Sequence, residues 1–342
     1  MSIAVGLVGF GVSARILQRP LLEAAGLCVH AVVTRQVEAV KAVLPGAQAV
    51  PDVPALLALP QLDLVIIATP NHLHFPQALA ALEQGKHVVI DKPMALTLAE
   101  CDRLIEAAER CDRRLAVFQN RRWDSDFLTL RRLLAEQALG EVLAFEARWD
   151  RYRPGVPDRW RERPEFGGGL LYDLGAHLID QALCLFGMPE WLQADVFSQR
   201  PQAAADDAFA LRMGHGALRI ELSASSIAPD ASLRYRLHGR RASYRKGGLD
   251  VQEQQLREGR SPNDPQFGIE PPAQWGELTD GATQAVHRIS PERGCWLDFY
   301  RAMRASIEHG SPVPVPAVEA RRVIHIIEAA RTSCARGARV YL

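Results

Sequence analysis

A glycine turn directly after the first buried strand constrains the fold of this chain most strongly. The apolar run from Ile3 to Val8 predicts a buried strand, and a helical stretch reaching Ala25 follows the turn Gly9-Phe10-Gly11-Val12-Ser13-Ala14. Glycines at such a turn let the backbone approach a pyrophosphate at a helix N-terminus, and alanine is an accepted variant of the third glycine. This context predicts a dinucleotide site, although the bare pattern also describes an ordinary tight turn between strand and helix.

The rest of the first third alternates short apolar runs with helical patterns. Thr97 and Glu100 form a predicted capping box that opens a helix reaching about Cys111. Further strands are predicted from Leu27 to Val33, Leu64 to Ala68, His87 to Ile90 and Leu115 to Phe118, and a helix from Phe75 to Gln84. Strands and helices in alternation predict a parallel sheet covered on both faces, here a Rossmann dinucleotide-binding domain over residues 1–120.

The pattern changes after about Asn120. Two-residue alternations at Phe209 to Ser223 and Leu233 to Lys246 predict antiparallel hairpins. A strand is also predicted from Glu141 to Trp149, and helices near Asp124 to Gln137, Tyr172 to Phe186, Trp296 to His309 and Ala317 to Arg336, with residues 259–294 as a surface loop or lid. The sequence therefore predicts an α/β chain whose second domain, 121–342, is α+β with an open, mainly antiparallel sheet. Its open face favours a homodimer or higher homo-oligomer.

Charge and composition exclude several classes of partner. Among 342 residues, 40 Lys and Arg balance 40 Asp and Glu, so the basic surface expected of a nucleic-acid-binding protein is not predicted. No apolar run approaches the roughly 20 residues needed to span a bilayer, and no targeting segment is recognised, so no membrane partner is expected. The six cysteines are scattered without metal or disulfide spacing, which favours a reducing compartment. We expect a cytoplasmic protein.

The end of the second strand bears on the choice of nicotinamide cofactor. NAD enzymes tend to place an acid there for the ribose hydroxyls, whereas NADP enzymes place an arginine near the 2′-phosphate. Here Thr34 and Arg35 end the strand, and no acid appears until Glu38. The pair favours NADP over NAD, although Arg35 could equally be a solvated surface charge.

Two further groups of residues carry side chains that can bind a ligand or transfer a proton. Lys92 follows the strand from His87 to Ile90, at the end where open α/β sheets bind ligands. Asp173 and His177 are spaced i, i+4 on a predicted helix, with Asp180 one turn further on, which suits a histidine that accepts a proton beside a carboxylate. A helix-surface ion pair and a metal site at the same three residues are the alternatives, but no other motif supports a metal, and none is predicted.

Taken together, these motifs resemble those of the glucose-fructose oxidoreductase/inositol dehydrogenase (Gfo/Idh/MocA) family over essentially the whole chain. The resemblance rests on four motifs in the same order: Gly9-Phe10-Gly11, Ala68-Thr69-Pro70-Asn71-His72-Leu73-His74, Asp91-Lys92-Pro93 and the run from Gly168 to His177. The runs from Asn120 to Asp124 and Trp149 to Pro154 are similar to the branch of NADP-dependent scyllo-inositol dehydrogenases.

The resemblance implies roles for individual residues. Lys92 matches the lysine between nicotinamide and substrate, His177 the proton-transfer histidine, and Asp173 the carboxylate that orients the substrate. It also implies a cofactor loop made by Thr69, Pro70, Asn71 and His74, with Asp91 replacing the usual glutamate and reaching a ribose. Ala14 and Gln18 stand where relatives of this branch often have Gly and His.

The sequence therefore predicts an NADP-dependent dehydrogenase, with NAD as the alternative, acting on a secondary alcohol or ketone of a cyclic polyol or sugar. In the oxidative direction His177 takes the hydroxyl proton while Lys92 stabilises the developing alkoxide. Candidates for the pocket wall, each also explicable as structural, are Arg122, Trp123, Arg153 and Trp160. Two other functions stay open: a cofactor-binding regulator without catalysis, which would not need these catalytic residues, and a redox-assisted glycosidase.

Overall fold

The computed structural model describes residues 3–342, which divide into two compact units. The first unit comprises the chain up to Asn120 together with Gln252–Phe267 and Cys295–Arg321. The second comprises Arg121–Val251, Gly268–Gly294 and Arg322–Leu342. The segments Gln252–Phe267 and Cys295–Arg321 thus group with the first unit, whereas the predicted second domain covers all of 121–342.

The first unit is built on a six-stranded parallel sheet. Its strands are β1 Ala4–Val8, β2 Cys28–Val33, β3 Gln48–Val50, β4 Leu64–Ile67, β5 His87–Asp91 and β6 Leu115–Phe118. Their order is β3-β2-β1-β4-β5-β6, and every neighbouring pair is parallel. Every residue of β1, β4 and β6 is buried, as expected for strands covered on both faces. This is the strand order of a Rossmann-type sheet.

Helices connect these strands. They are α1 Arg19–Ala24, α2 Val37–Val43, α3 Val53–Leu57, α4 His74–Glu83 and α5 Leu98–Arg110. A π-helical turn over Ser13–Gln18 precedes α1, and a 3₁₀ turn over Asn71–Leu73 precedes α4. The predicted capping box is confirmed at α5, where the Thr97 and Glu100 side chains each accept the other's backbone N–H. The sequence patterns missed α2, β3 and α3.

The second unit is built on a nine-stranded sheet. Its strands are β7 Val142–Arg148, β8 Trp191–Phe197, β9 Ala208–His215, β10 Leu218–Ser225, β11 Tyr235–Gly239, β12 Ala242–Lys246, β13 Gly276–Asp280, β14 Val286–Ile289 and β15 Val340–Tyr341. They are ordered β14-β13-β12-β11-β7-β10-β9-β8-β15. The sheet is mixed, because β7 and β10 pair in parallel while the other pairs are antiparallel. Both predicted hairpins are present, whereas the predicted lid over 259–294 contains the hairpin of β13 and β14.

The remaining helices follow the chain in order: α6 Ser125–Ala135, α7 Ala176–Phe186, α8 Gln252–Arg257, α9 Leu297–His309 and α10 Ala317–Arg336. The helix predicted from Tyr172 to Phe186 is in two parts, since a π-helical turn over Leu171–Gly175 precedes α7. Within residues 3–342, no helix combines the length and apolar character needed to cross a membrane.

Candidate active site

The residues predicted to bind the dinucleotide lie at the carboxyl edge of the first sheet. They follow the ends of four strands that are neighbours in the order β2-β1-β4-β5. Thr34 and Arg35 follow β2, Gly9 to Val12 follow β1, Thr69, Pro70 and Asn71 follow β4, and Asp91 and Lys92 stand at the end of β5. This edge is where open α/β sheets bind ligands, so the fold collects residues that are up to about 80 positions apart in sequence.

The glycine turn fits a dinucleotide. Gly9 has φ +95°, and a Cβ atom there would lie 2.7 Å from the carbonyl oxygen of Ala68, so no other residue can bring β1 and β4 this close. Gly11 is exposed, and a Cβ atom there would have no protein atom within 4 Å. Phe10 is buried beneath the turn, whereas Val12 is exposed at the start of the following helix. The buried Phe10 side chain thus anchors the turn. The open space next to Gly11 leaves room for a phosphate to approach.

The end of β2 presents a cation, and no acid occurs before Glu38. Arg35 is exposed, and across residues 3–342 its guanidinium has no hydrogen-bond or ion-pair partner. The Thr34 hydroxyl accepts the backbone N–H of Gln36 at 3.0 Å, which fixes the turn. The first acid after the strand, Glu38, pairs with Lys41 at 2.9 Å. An exposed guanidinium at this position can bind a ligand phosphate.

Asp91 belongs to a partly buried hydrogen-bond network that the sequence patterns missed. The Ser13 hydroxyl donates to Asp91 Oδ2 at 2.5 Å, and the Gln18 amide donates to Ser13 Oγ at 3.0 Å and to the same carboxylate oxygen at 3.4 Å. Tyr300 completes the chain by donating from its hydroxyl to Gln18 Oε1 at 2.5 Å. Burial raises the pKa of Tyr300 well above its usual value, and the nearby Asp91 charge raises it further. The network fixes the segment that carries Lys92, whose own backbone N–H donates to Asp91 Oδ1 at 2.9 Å.

His74 is buried and holds the segment from Thr69 to Asn71 in place rather than lining its surface. Its ring is buried, with Nδ1 2.7 Å from the carbonyl oxygen of Pro93 and Nε2 2.9 Å from that of Thr69. Burial lowers the pKa of His74, and the two carbonyl groups oppose that shift. Thr69 is held in addition by donating from its hydroxyl to Gln77 Oε1 at 2.7 Å. The resemblance implied a place along the cofactor for His74, whereas the geometry gives it a structural role.

In the second unit, the segment that carries the predicted catalytic residues begins at a glycine cluster. Gly169 has φ +113°, and a Cβ atom there would overlap the carboxylate of Asp206. The same carboxylate accepts the backbone N–H of Leu171 at 2.8 Å, which caps the π-helical turn that carries Asp173. Glycine is required at this position because the carboxylate occupies the place of a side chain.

Asp173 and His177 have different surroundings although they lie in one motif. The Asp173 carboxylate pairs with Arg151 at 3.0 Å and lies 3.8 Å from Arg161. His177 lies in the first turn of α7, and its ring packs on Trp149 with the ring centroids 5.6 Å apart. Because Asp173 sits in a π-helical turn, the predicted i, i+4 spacing along one regular α-helix is not observed. Arg151, which was not among the predicted site residues, lies two positions after the predicted strand from Glu141 to Trp149.

Arg122 and Asp180 form a bidentate ion pair, which corrects the pocket-wall prediction for Arg122 and weakens the metal alternative. Arg122 donates from Nε at 2.8 Å and from Nη2 at 2.7 Å to the two oxygens of Asp180. Both side chains are largely buried, with relative exposures of 12% and 3%. The guanidinium is therefore engaged in structure rather than in a pocket wall. The metal alternative also loses Asp180, one of its three candidate ligands, and within residues 3–342 no group of three or more His, Cys, Asp or Glu is arranged to hold a metal ion.

The other pocket-wall candidates differ in exposure. Arg153 is exposed, while its backbone N–H donates to the Ser226 carbonyl oxygen at 2.6 Å. Trp160 is half-buried, and the Arg161 guanidinium lies 4.5 Å from its ring centroid. Trp123 is half-buried in a 3₁₀ turn before α6. These three side chains keep the exposure that a substrate contact requires.

Comparisons with known proteins agree with this architecture. The NAD-binding Rossmann fold of the Gfo/Idh/MocA oxidoreductase family matches residues 3–119, and the C-terminal alpha/beta domain of that family matches residues 131–342. The chain is 40% identical to the scyllo-inositol 2-dehydrogenase (NADP(+)) IolW of Bacillus subtilis over 97% of its own length and 94% of that protein. It is 41% identical to the uncharacterized oxidoreductase YdgJ of Escherichia coli over 96% of its length and 95% of that protein.

Solved structures give the same result. The oxidoreductase yvaA of Bacillus subtilis is similar with a TM-score of 0.97 and 39% identity, covering 100% of this chain and 98% of that one. The aldose-aldose oxidoreductase of Caulobacter crescentus, at 20% identity and a TM-score of 0.81, shows that the fold alone is shared.

Proposed function

The chain belongs to the Gfo/Idh/MocA oxidoreductase family, and from this premise we propose that it is an NADP-dependent dehydrogenase of a cyclic polyol or sugar. The observation that carries the proposal is the 40% identity, over 97% of the chain, to a scyllo-inositol 2-dehydrogenase (NADP(+)). The proposed substrate is a secondary alcohol, or the corresponding ketone, on a ring like that of scyllo-inositol.

The cofactor would be held by the carboxyl edge of the first sheet. Gly9, Phe10, Gly11 and Val12 would surround the pyrophosphate, where the open space above Gly11 supports the assignment. Arg35 would face the 2′-phosphate, because its guanidinium is exposed and makes no ion pair with another residue of 3–342. When bound, the nicotinamide accepts or supplies the hydride, and the chain itself supplies position and charge.

The chain's own residues would handle the proton and the developing charge. In the oxidative direction His177 accepts the hydroxyl proton, so we expect oxidation to slow at acid pH as the imidazole becomes protonated. Lys92 stabilises the alkoxide that forms as the proton leaves. Asp173 orients the substrate hydroxyls, and its ion pair with Arg151 holds the carboxylate in one position.

A panel of inositols, aldoses, anhydro-sugars and glycosides, assayed with NADP⁺ and NAD⁺, tests this function. The proposal predicts reduction of NADP⁺ with at least one cyclic polyol or sugar and slower reduction of NAD⁺. Cofactor binding without turnover on any substrate would instead identify a regulatory protein. Release of free sugar from a glycoside without net cofactor reduction would identify a redox-assisted glycosidase.

A further inference from the structure

The imidazole of His177 packs against one large aromatic side chain, Trp149. The two ring centroids lie 5.6 Å apart and the ring planes are tilted by 31°. This separation is within the range of attractive aromatic pairs. Both residues are nearly inaccessible, at 6% exposure for His177 and 7% for Trp149. The orientation of the imidazole thus depends directly on where the indole lies.

Two guanidinium groups in turn flank the indole of Trp149. The Cζ atoms of Arg121 and Arg234 lie 4.8 Å and 4.7 Å from its ring centroid. Cations within about 6 Å of an aromatic face are attracted by its quadrupole, and desolvation strengthens that attraction. The Arg234 guanidinium is held in place because it donates to the Arg148 carbonyl oxygen at 3.1 Å. The Trp149 backbone is held because its N–H donates to the Ser223 carbonyl oxygen at 3.0 Å.

Gln181 connects this cluster to the helix that carries His177. It lies four residues after His177 on α7, and therefore on the same helix face. Its amide N–H donates to the Arg121 carbonyl oxygen at 3.0 Å. Its amide oxygen accepts from Arg234 Nη2 at 3.0 Å and from the Tyr235 hydroxyl at 2.8 Å. The helix and the indole are thus tied to the same two arginines.

We infer that Trp149 is a positioning residue for His177, an inference that rests on the proposed acid/base role of His177. The indole, fixed by Arg121 and Arg234, sets the tilt and position of the imidazole, while Gln181 sets the distance of α7 from the same groups. Trp149 touches neither substrate nor cofactor in this role and acts through His177. Loss of the ring would leave the imidazole free to adopt other rotamers, and a displacement of about 1 Å at a catalytic group can lower turnover by about 100-fold.

The test compares Trp149→Leu and Trp149→Phe with wild type, using the substrate of highest turnover from the panel above. We expect Trp149→Leu to lower kcat by roughly 10- to 100-fold, with KM changed less than about 3-fold and the NADPH dissociation constant unchanged. Trp149→Phe retains an aromatic face and should retain at least about a third of the wild-type kcat. If Trp149→Leu does not fold, Trp149→Met takes its place, because its flexible side chain fills space without a ring.

Phe145→Leu is a matched control. Phe145 is buried like Trp149, at 1% against 7% exposure, and lies in β7, but its ring packs on Phe186 and Tyr235 rather than on His177. This variant should lower the melting temperature without changing kcat. An equal loss of kcat in Phe145→Leu and Trp149→Leu would contradict the inference, since general loosening of the core would then explain both.

A double-mutant cycle separates this inference from the proposed function. If Trp149 acts through His177, Trp149→Leu should lower kcat no further once His177→Ala is present. A full additional loss in the His177→Ala background, or wild-type kcat in Trp149→Leu alone, overturns the positioning role and leaves the function standing. Wild-type turnover in His177→Ala alone would contradict the proposed acid/base role itself.

Discussion

Replacing Arg122 with alanine should destabilise the protein rather than weaken substrate binding. Its guanidinium meets both oxygens of Asp180, whose side chain is only 3% exposed. Removing one partner of a buried ion pair typically costs about 3–5 kcal/mol, because the remaining charge stays in a poorly solvated site. At about 2–4 °C per kcal/mol for a unit of this size, the melting temperature should fall by roughly 6–20 °C.

Calorimetry and substrate kinetics on the same sample measure both effects. The matched control is Arg153→Ala, because Arg153 is exposed and its substitution should change the free energy of unfolding by less than about 0.5 kcal/mol. The double variant Arg122→Met/Asp180→Leu removes both charges and should recover much of the lost stability. An unchanged melting temperature with a large rise in KM in Arg122→Ala would refute this reasoning and indicate that Arg122 contacts the substrate.

Three further results are expected. Arg35→Ala should weaken NADPH binding by about 1.5–3 kcal/mol, the range for a charged hydrogen bond, and leave the affinity for NADH nearly unchanged. A fluorescence titration measures both affinities, and equal losses for the two cofactors would exclude a 2′-phosphate role. Gly11→Val should abolish cofactor binding while the melting temperature is retained, because the added side chain enters space that holds no protein atom. Normal NADPH affinity in this variant would show that the turn does not bind the pyrophosphate. Burial, and then the charge of Arg113, lowers the pKa of His87 from 6.5 to about 4. The folded state therefore binds fewer protons than the unfolded state between pH 4 and 6.5, so stability should rise with pH across that window. Because the ring is partly exposed and solvent screens its charge, we expect a contribution of about 1–2 kcal/mol, less than the full shift would give. Denaturant unfolding of His87→Gln should lack this contribution, and an identical pH slope in both proteins would contradict it.

The elements that sequence predicted well are those with a strong local signal. The capping box at Thr97 and Glu100 marks the start of α5, and the fully apolar run of β4 indicates a buried strand without further information. The short helix α2 was missed because no side chain caps its N-terminus at Gln36. Strand β14 exposes nearly all of its residues, so no apolar alternation marked the hairpin within residues 259–294.

The candidate site likewise contains residues that can be predicted from the sequence and supporting partners that cannot. Lys92, Asp173 and His177 lie in compact motifs that can be recognised in the sequence. Their supporting partners come from distant segments, and Tyr300, for example, lies 282 positions from Gln18, to which it donates. Sequence also identifies Arg122 as a cation but does not reveal that Asp180, 58 positions away, is its partner. Only the folded chain brings such pairs together.

The most direct test of the account is turnover by His177→Ala with NADP⁺ and the preferred polyol. We expect kcat to fall by about 10²- to 10⁴-fold, the usual contribution of general acid–base catalysis, with NADPH affinity retained. Lys92→Ala should also lower kcat, and the double variant should lose less than the product of the two single losses, because both residues serve one transition state. Full turnover in a folded, NADPH-binding His177→Ala variant would contradict the account.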